Sequence, residues 1–172
     1  MSNPFSLFNL PVQFSVDREL LSERYLTLQK QLHPDNFASH SVQEQRLAIQ
    51  KSAEINDAFQ VLKSPVRRAE SIILINTGET QNVEEKSMRD MDFLMQQLEW
   101  REKLEHIEHT QNETELTVFL KQINTQEAVI IAELDATLSA KNWQKATALC
   151  DKLRYIQKLI TEIERVEEAF FE

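Results

Sequence analysis

Apolar residues recur along most of this chain at spacings of three and four, which is the period of an amphipathic helix. The first clear stripe has spacings of four, three and four and consists of Leu21, Tyr25, Leu28 and Leu32. Asp17 is a residue type that caps helix N-termini, and the residue before Pro34 disfavours helical backbone angles. The pattern therefore predicts a helix from about Asp17 to Leu32, followed by a loop that extends to about His40.

A second amphipathic helix is predicted after this loop. Ser41 and Glu44 have the spacing of a capping box, and Ser64-Pro65 ends the helix and caps another one. The residues expected on the inner face of the second helix are Leu47, Ile55, Phe59 and Leu62. Together with a short apolar helical turn near the N-terminus, these segments predict a small all-α domain over residues 1–75.

The rest of the chain has the pattern of a helical bundle. Residues 76–83 are polar apart from Val83 and include the only glycine, Gly78, so they are interpreted as a linker. Three long helical patterns follow, over residues 84–109, 113–139 and 143–170. The last has an apolar seam with spacings of four and three, formed by Leu149, Leu153, Ile156, Ile160 and Ile163. Three helices joined by short polar turns predict an antiparallel three-helix bundle over residues 84–172.

The first bundle helix carries more apolar residues than a single core face needs. Four of them fall within about 60° of each other on an ideal helix and form the expected core stripe: Phe93, Trp100, Leu104 and Ile107. The opposite side carries Met91, Leu94, Met95 and Leu98, together with Glu99, Glu102 and His106. Because the outer face of a bundle helix is normally polar, an apolar patch bordered by carboxylates predicts a protein-binding surface.

Two residues of the last helix bear on this surface. Tyr155 and Leu159 lie off the apolar seam, and they would extend the patch if the first and last bundle helices are neighbours. The alternative is that the last helix lies in the middle of the bundle and buries both faces. The sequence leaves both interpretations open.

Charge and composition argue against several classes of function. The net charge is −9, and the excess lies beyond residue 75, because residues 1–75 carry eight acidic and eight basic side chains. An acidic second part argues against a nucleic-acid partner, since phosphate binding needs the opposite charge. No apolar run approaches the ~20 residues of a membrane span, and the N-terminus lacks the pattern of a signal peptide. We therefore expect no membrane association and a cytoplasmic location.

The remaining chemistry-bearing residues do not form a recognisable catalytic or metal site. Cys150 is the single cysteine, which rules out an intrachain disulfide and a cysteine-based metal cluster. His106 and His109, with two nearby glutamates, are more simply a solvated helix face than a zinc site. No glycine-rich phosphate loop is present. The expectation is a chain without catalytic residues, metal or cofactor, and therefore not an enzyme.

The most informative motif is His33-Pro34-Asp35, in the loop between the first two long helices. A rigid proline lowers the cost of ordering a docking loop, and a carboxylate beside an imidazole offers hydrogen bonds to a partner. The unit resembles the J domain, the helical module that activates the ATPase of DnaK-like chaperones. A short first helix, an amphipathic second helix, this tripeptide and an antiparallel third helix occur in the J-domain order.

The J-domain resemblance implies that His33, Pro34 and Asp35 contact an ATPase chaperone. It also implies that basic residues of the second helix, Arg24 and Lys30, take part. J domains usually have a more strongly basic second helix, and a basic residue often stands where this chain has Asn36.

Over essentially its whole length, the chain resembles the HscB family of co-chaperones, which joins a J domain to an acidic three-helix domain. Two segments match those by which that family holds IscU, the iron–sulfur scaffold protein: Phe93-Leu-Met-Gln-Gln-Leu-Glu-Trp-Arg-Glu102 and Lys152-Leu-Arg-Tyr155. By position, the resemblance implies scaffold contacts from Leu94, Met95, Leu98, Glu99, Glu102, His106 and Tyr155. The family often has an acidic residue at the position of His106 and a phenylalanine at that of Tyr155.

The resemblance implies a co-chaperone that delivers IscU to an HscA-type ATPase chaperone and stimulates its ATP hydrolysis, which assists iron–sulfur cluster assembly and transfer. Three alternatives stay open. The first is a general J protein that presents unfolded clients to DnaK. The second is an enzyme that uses His33 and Asp35 as acid and base. The third is a purely structural helical adaptor.

Overall fold

The computed structural model describes residues 2–79 and 90–172, and its regular secondary structure is helical. The described residues contain seven α-helices and no strand, so the predicted all-α fold is confirmed. They divide into two compact units, Met1–Gly78 and Glu79–Glu172. The helices are α1 (Pro4–Leu7), α2 (Arg18–Gln31), α3 (Val42–Lys63), α4 (Pro65–Thr77), α5 (Met91–Thr110), α6 (Glu113–Ser139) and α7 (Trp143–Phe170).

Side-chain oxygens set the starts of the longer helices in the first unit. Asp17 Oδ1 accepts two of the first backbone N–H groups of α2, each at 3.1 Å. Ser41 Oγ accepts the N–H of Glu44 at 3.2 Å, and Ser64 Oγ accepts the N–H of Arg67 at 3.3 Å. These bonds satisfy donors that a helix leaves unpaired at its N-terminus. The three N-caps predicted from the sequence are confirmed.

The segment between α2 and α3 is more ordered than the predicted loop. Pro34–Phe37 forms a turn of 3-10 helix. The N–H of Asn36 donates to the carbonyl oxygen of His33 at 3.0 Å, which closes the turn. The His33-Pro34-Asp35 motif therefore lies in a short, hydrogen-bonded turn between two helices.

Side chains from all four helices and from Phe8, which follows α1, build the core of the first unit. Those almost inaccessible to solvent include Phe5, Phe8, Ile55, Leu62 and Ala69. Leu47, which was predicted on the inner face of α3, is 59% exposed, whereas Ala48 is buried, so that prediction is wrong. On an ideal helix Leu47 lies about 80° away from the direction of Ile55, but Ala48 lies only about 20° away. The small side chain therefore takes the core position.

The end of α4 differs from the predicted domain end at residue 75. The helix continues to Thr77, two residues into the predicted linker. Gly78 follows with a φ of 74°, and its N–H donates to the carbonyl oxygen of Leu74 at 2.8 Å. Glycine adopts this left-handed angle without a steric penalty, which makes it a common helix terminator. Residues 80–83 of the predicted linker lie outside the described residues.

In the second unit, asparagine and aspartate residues start the helices. Asp90 caps α5, which begins at Met91. Residues 84–89, where this helix was predicted to start, lie outside the described residues. Helices α6 and α7 have the bounds that the sequence predicted, because Asn112 and Asn142 accept first-turn N–H groups at 3.1 and 3.2 Å.

Helix α7 packs against both α5 and α6 and buries a wider surface than one seam. Its buried apolar residues are Ala146, Leu149, Cys150, Leu153, Ile156, Leu159 and Ile163. Ile160, predicted in the seam, is only half-buried. Leu159, considered as an extension of the exposed patch, is 1% exposed, so that interpretation is wrong. Both corrections follow from the two neighbours of α7, which require apolar side chains on two sides.

Truncation of a core side chain in α7 should be costly. Because Leu153 is fully buried, Leu153→Ala should lower the free energy of unfolding of the second unit by about 2–5 kcal/mol. Both tryptophans, Trp100 and Trp143, lie in this unit, so urea titrations followed by tryptophan fluorescence measure the change. The matched control is Leu98→Ala, the same truncation at an exposed site, with an expected change below about 0.5 kcal/mol. Equal effects of the two variants would contradict the described packing.

Candidate functional sites

The turn that holds His33 and Asp35 is exposed and internally hydrogen-bonded. His33 Nδ1 accepts the backbone N–H of Asp35 at 3.2 Å and lies 3.6 Å from Asp35 Oδ2. Because Nδ1 is an acceptor here, the neutral imidazole carries its proton on Nε2 and offers it as a donor. The side chains of His33 and Asp35 are 59% and 92% exposed. Pro34 between them fixes one backbone angle of the turn.

Helices α2 and α3, which the turn connects, contact each other through a polar and aromatic network that was not predicted from the sequence. The rings of Tyr25 and Phe59 stack with centroids 4.1 Å apart, and the Tyr25 hydroxyl donates to Asn56 Oδ1 at 2.6 Å. Gln29 Nε2 donates to the same oxygen at 2.7 Å, and Gln29 Oε1 accepts from the Ser52 hydroxyl at 3.1 Å. The network fixes the register of the two helices that carry the turn. Periodicity within one helix gives no signal for bonds of this kind.

The basic residues of α2 have different environments. Arg24 is half-buried, and its Nη1 donates to the carbonyl oxygens of Phe8 at 2.8 Å and Asn9 at 2.7 Å. This predicted docking residue therefore also holds the end of α1 against α2. Lys30 and Arg18 are exposed. The positive charge that α2 presents to a partner comes mainly from these two side chains.

Helix α5 presents an apolar surface to solvent. Leu94, Met95 and Leu98, which we call the α5 patch, are 39%, 54% and 53% exposed. Glu99, Glu102 and His106 are exposed on the same helix and follow the patch toward its C-terminal end. The opposite side of α5 is buried and carries the predicted core residues Phe93, Trp100, Leu104 and Ile107. The exposure of the α5 patch agrees with the sequence-based expectation of an apolar stripe outside the core.

Tyr155 lies at the seam between α5 and α7 and not among the exposed patch residues. Its ring is stacked with Trp100 at 6.3 Å between centroids and meets the Phe93 ring edge-on at 5.7 Å. The residue is half-buried, and burial raises the pKa of its hydroxyl. Six predicted scaffold-binding residues thus share one helix, and the seventh supports that helix from α7.

Two ion pairs also hold α5 against α7, and the sequence analysis missed both. Arg101 Nη1 lies 2.9 Å from Glu162 Oε2, whose negative charge raises the pKa of Arg101. Lys152 Nζ lies 3.1 Å from Asp90 Oδ2 and 5.5 Å from the centroid of the Phe93 ring. The N–H of Phe93 and then the Lys152 ammonium lower the pKa of Asp90. The partners are some sixty residues apart in the chain, so no local spacing reveals them.

The Asp90–Lys152 pair gives a pH-dependent contribution to stability. Asp90→Asn keeps an N-capping oxygen but removes the paired charge, and should lower the free energy of unfolding by up to about 1 kcal/mol near pH 7. The side chain of Asp90 is 35% exposed, so solvent screening limits the effect. Because the pKa of Asp90 is lowered in the folded state, the pair contributes fully to stability at pH values above the usual pKa of 3.8. This contribution is lost as the pH falls through the folded-state pKa of Asp90.

Urea titrations of wild type and Asp90→Asn at about pH 7 and about pH 3 measure this contribution. The difference between the two proteins should shrink toward zero at the lower pH. A difference that stays constant between the two conditions would contradict the pairing.

The described part of the chain contains neither a metal-binding cluster nor a membrane-spanning helix. Within residues 2–79 and 90–172, no group of three or more His, Cys, Asp or Glu side chains is arranged to hold a metal ion. His106 and His109 are both exposed on α5. Among the described helices, none combines the length and the apolar character that crossing a membrane requires.

Comparison with known proteins assigns the chain to a family. The family model described as the HSCB C-terminal oligomerisation domain matches residues 89–164. A co-chaperone protein HscB homolog from Mannheimia succiniciproducens is 58% identical over 168 residues, covering 98% of this chain and 97% of the relative. This chain belongs to the HscB family of co-chaperones. A relative of the same description from Haemophilus influenzae is 51% identical over 172 residues, covering 100% of this chain and 99% of the relative.

Solved HscB structures share the fold. The chaperone HscB from Vibrio cholerae matches with a TM-score of 0.89 and 40% identity, covering 98% of this chain and 99% of the other. Human co-chaperone protein HscB matches with a TM-score of 0.87 at 24% identity, covering 95% of this chain and 81% of the other, which shows a likeness of fold alone. The resemblance to HscB drawn from the tripeptide and the helix pattern is confirmed. The HscB relatives are named as co-chaperones, in agreement with the expectation of a chain that is not an enzyme.

Proposed function

We propose that this chain binds an IscU-type scaffold protein, delivers it to an HscA-type ATPase chaperone and stimulates that chaperone's ATP hydrolysis. The observation that carries the proposal is the presence of two exposed surfaces of different chemistry in the two units of one chain. The first is the hydrogen-bonded turn at His33-Pro34-Asp35, and the second is the α5 patch with its carboxylates. The role is assistance in iron–sulfur cluster assembly and transfer, in the cytoplasm.

The turn in the first unit has the chemistry to dock on a chaperone. The exposed carboxylate of Asp35 can accept two parallel hydrogen bonds from an arginine, and His33 Nε2–H is available as a donor. Because Pro34 and the Nδ1 bond of His33 already order the turn, less conformational freedom is lost on binding. Lys30 and Arg18 would steer an acidic partner surface toward α2, while Arg24 keeps α1 and α2 together.

The α5 patch has the chemistry to hold a folded protein. Burial of an exposed leucine or methionine side chain contributes about 1–2 kcal/mol, so three of them supply the central anchors of an interface. Glu99 and Glu102 at the margin favour a partner with basic residues around an apolar groove. Tyr155 supports α5 through its stacking on Trp100, and His106 adds a polar contact at one end of the surface.

Coupling follows from the covalent link between the two units. A scaffold held on α5 meets the chaperone at a raised effective concentration once the turn has docked. The turn would bind the hydrolysis-competent conformation of the chaperone more tightly than its resting conformation, and so shift the population toward hydrolysis. Hydrolysis is the chemistry of the chaperone, and the iron–sulfur cluster is cargo of the scaffold.

Calorimetric titration separates this function from that of a general J protein. Folded IscU-type scaffold and an unfolded client protein would each be titrated into the full chain. The proposal expects one-to-one binding of the folded scaffold and no measurable binding of the unfolded client. Binding of the unfolded client without binding of the scaffold would instead favour the presentation of unfolded clients to DnaK.

A further inference from the structure

We propose that Asn36 is a positioning residue for the His33–Asp35 turn and thereby sets the affinity of this chain for its ATPase chaperone. The proposal rests on the proposed function of that turn. It starts from the side-chain amide of Asn36, whose Nδ2 donates to the carbonyl oxygens of Lys30 at 2.6 Å and Gln31 at 3.3 Å. The amide thus uses its donors on two carbonyls at the C-terminal end of α2.

These two carbonyls need partners from outside the helix. A helix leaves its last four C=O groups without intrahelical donors, and α2 ends at Gln31. The N–H of His33 also approaches the carbonyl oxygen of Lys30, but at a longer 3.4 Å. The side chain of Asn36 therefore supplies the shorter bond at this helix end.

The contacts of Asn36 enclose the motif on both sides. Its backbone N–H donates to the carbonyl oxygen of His33 at 3.0 Å, while its side chain reaches back across the turn to Lys30 and Gln31. Pro34 and Asp35 lie between these anchoring points. The turn is also restrained by the bond from the Asp35 N–H to His33 Nδ1 and by Gln45 Nε2, which donates to the carbonyl oxygen of Phe37 at 3.0 Å. The Asn36 side chain adds the bonds that tie the turn to the end of α2.

The role requires a donor at position 36. Aspartate has the shape of asparagine, but an ionised carboxylate accepts hydrogen bonds and cannot donate them. Asn36→Asp would place a negative charge against two carbonyl oxygens at the negative end of the α2 dipole. Asn36→Ala removes the donor without adding charge. Both variants should release the turn from α2 while leaving His33, Pro34 and Asp35 chemically intact.

A positioning role predicts a change in affinity without loss of maximal activity. In titrations of an HscA-type chaperone with the full chain, Asn36→Ala should raise the concentration for half-maximal ATPase stimulation about three- to tenfold. Asn36→Asp should raise it further, and the plateau rate should be unchanged for both. Ser39→Asp is the control, because it adds the same charge at a nearby exposed site and keeps the Asn36 bonds; its effect should stay below about twofold.

Backbone amide relaxation of His33, Asp35 and residue 36 in the free full chain is the second measurement, since Pro34 has no N–H. Both Asn36 variants should show lower order parameters there than wild type and Ser39→Asp. Unchanged half-maximal concentrations, or unchanged order parameters, in Asn36→Asp would overturn the proposal. If the wild-type chain fails to stimulate the chaperone at all, the proposed function fails. The order parameters then still decide whether Asn36 positions the turn.

Discussion

Replacing His33 with glutamine should reduce stimulation of the HscA-type ATPase to about a tenth or less of the wild-type effect. Hydrogen bonds that involve a charged partner contribute about 1.5–3 kcal/mol, which corresponds to about ten- to a hundredfold. Glutamine has no acceptor at the place of Nδ1, so the bond to the N–H of Asp35 is lost together with the oriented Nε2 donor. Steady-state phosphate release measures the effect at the concentration at which the wild-type chain gives half-maximal stimulation.

The control for this prediction is His40→Gln. His40 is also exposed and lies a few residues further along the chain, where its ring packs beside Phe37 and its Nε2 lies 3.9 Å from Glu44. The same substitution there should leave stimulation within about twofold of wild type. Full stimulation by His33→Gln would contradict the docking role of the turn, provided that its helical signal and its scaffold affinity match those of wild type.

The double variant Leu94→Ala/Leu98→Ala should weaken scaffold binding about thirtyfold or more. Truncation of two central apolar side chains of an interface commonly lowers the binding free energy by about 2 kcal/mol or more, because a few buried side chains supply most of it. Both leucines are exposed in the free chain, so the free energy of unfolding should change little. Calorimetric titration with the IscU-type scaffold measures the dissociation constant, and urea titration checks the fold.

Helix α6 offers a matched control for this double variant. Val118 and Val129 are exposed apolar residues outside α5, so Val118→Ala/Val129→Ala removes exposed apolar surface without touching the α5 patch. Its affinity for the scaffold should stay within about twofold of wild type. An equal loss of affinity in both double variants would mean that α5 is not the specific binding surface.

The helices were accessible from sequence because their determinants are local. Asp17, Ser41 and Ser64 lie next to the N–H groups that they cap, so their spacing alone identifies the helix starts. The exposed α5 patch was also predictable. A helix that packs on one side leaves four excess apolar residues on the other, and this surplus is visible in the periodicity of the sequence.

The features that the sequence did not reveal depend on tertiary contacts. Leu159 was considered for the exposed patch because it lies beside the seam of α7, and only the second neighbour of that helix buries it. Arg24 was predicted to contact the chaperone, and nothing in the sequence indicated that its guanidinium group also donates to carbonyl oxygens at the end of α1. Asn36 stands where J domains often have a basic residue, and its sequence position gave no sign that its amide donates to the end of α2. In each case the contact is made with another element of the fold, so the residue type and its spacing within its own segment do not reveal it.

The measurement that tests the central claim most directly is the steady-state ATPase rate of the HscA-type chaperone with scaffold alone, with this chain alone, and with both together. The account predicts that the stimulation by both exceeds the product of the two separate stimulations, and that His33→Gln removes the excess. The double variant Leu94→Ala/Leu98→Ala should keep the stimulation by the chain alone and lose the excess. Stimulation that is the same with and without scaffold would contradict coupled delivery and would favour a general J protein. No stimulation by a folded chain would contradict the co-chaperone mechanism proposed for this turn.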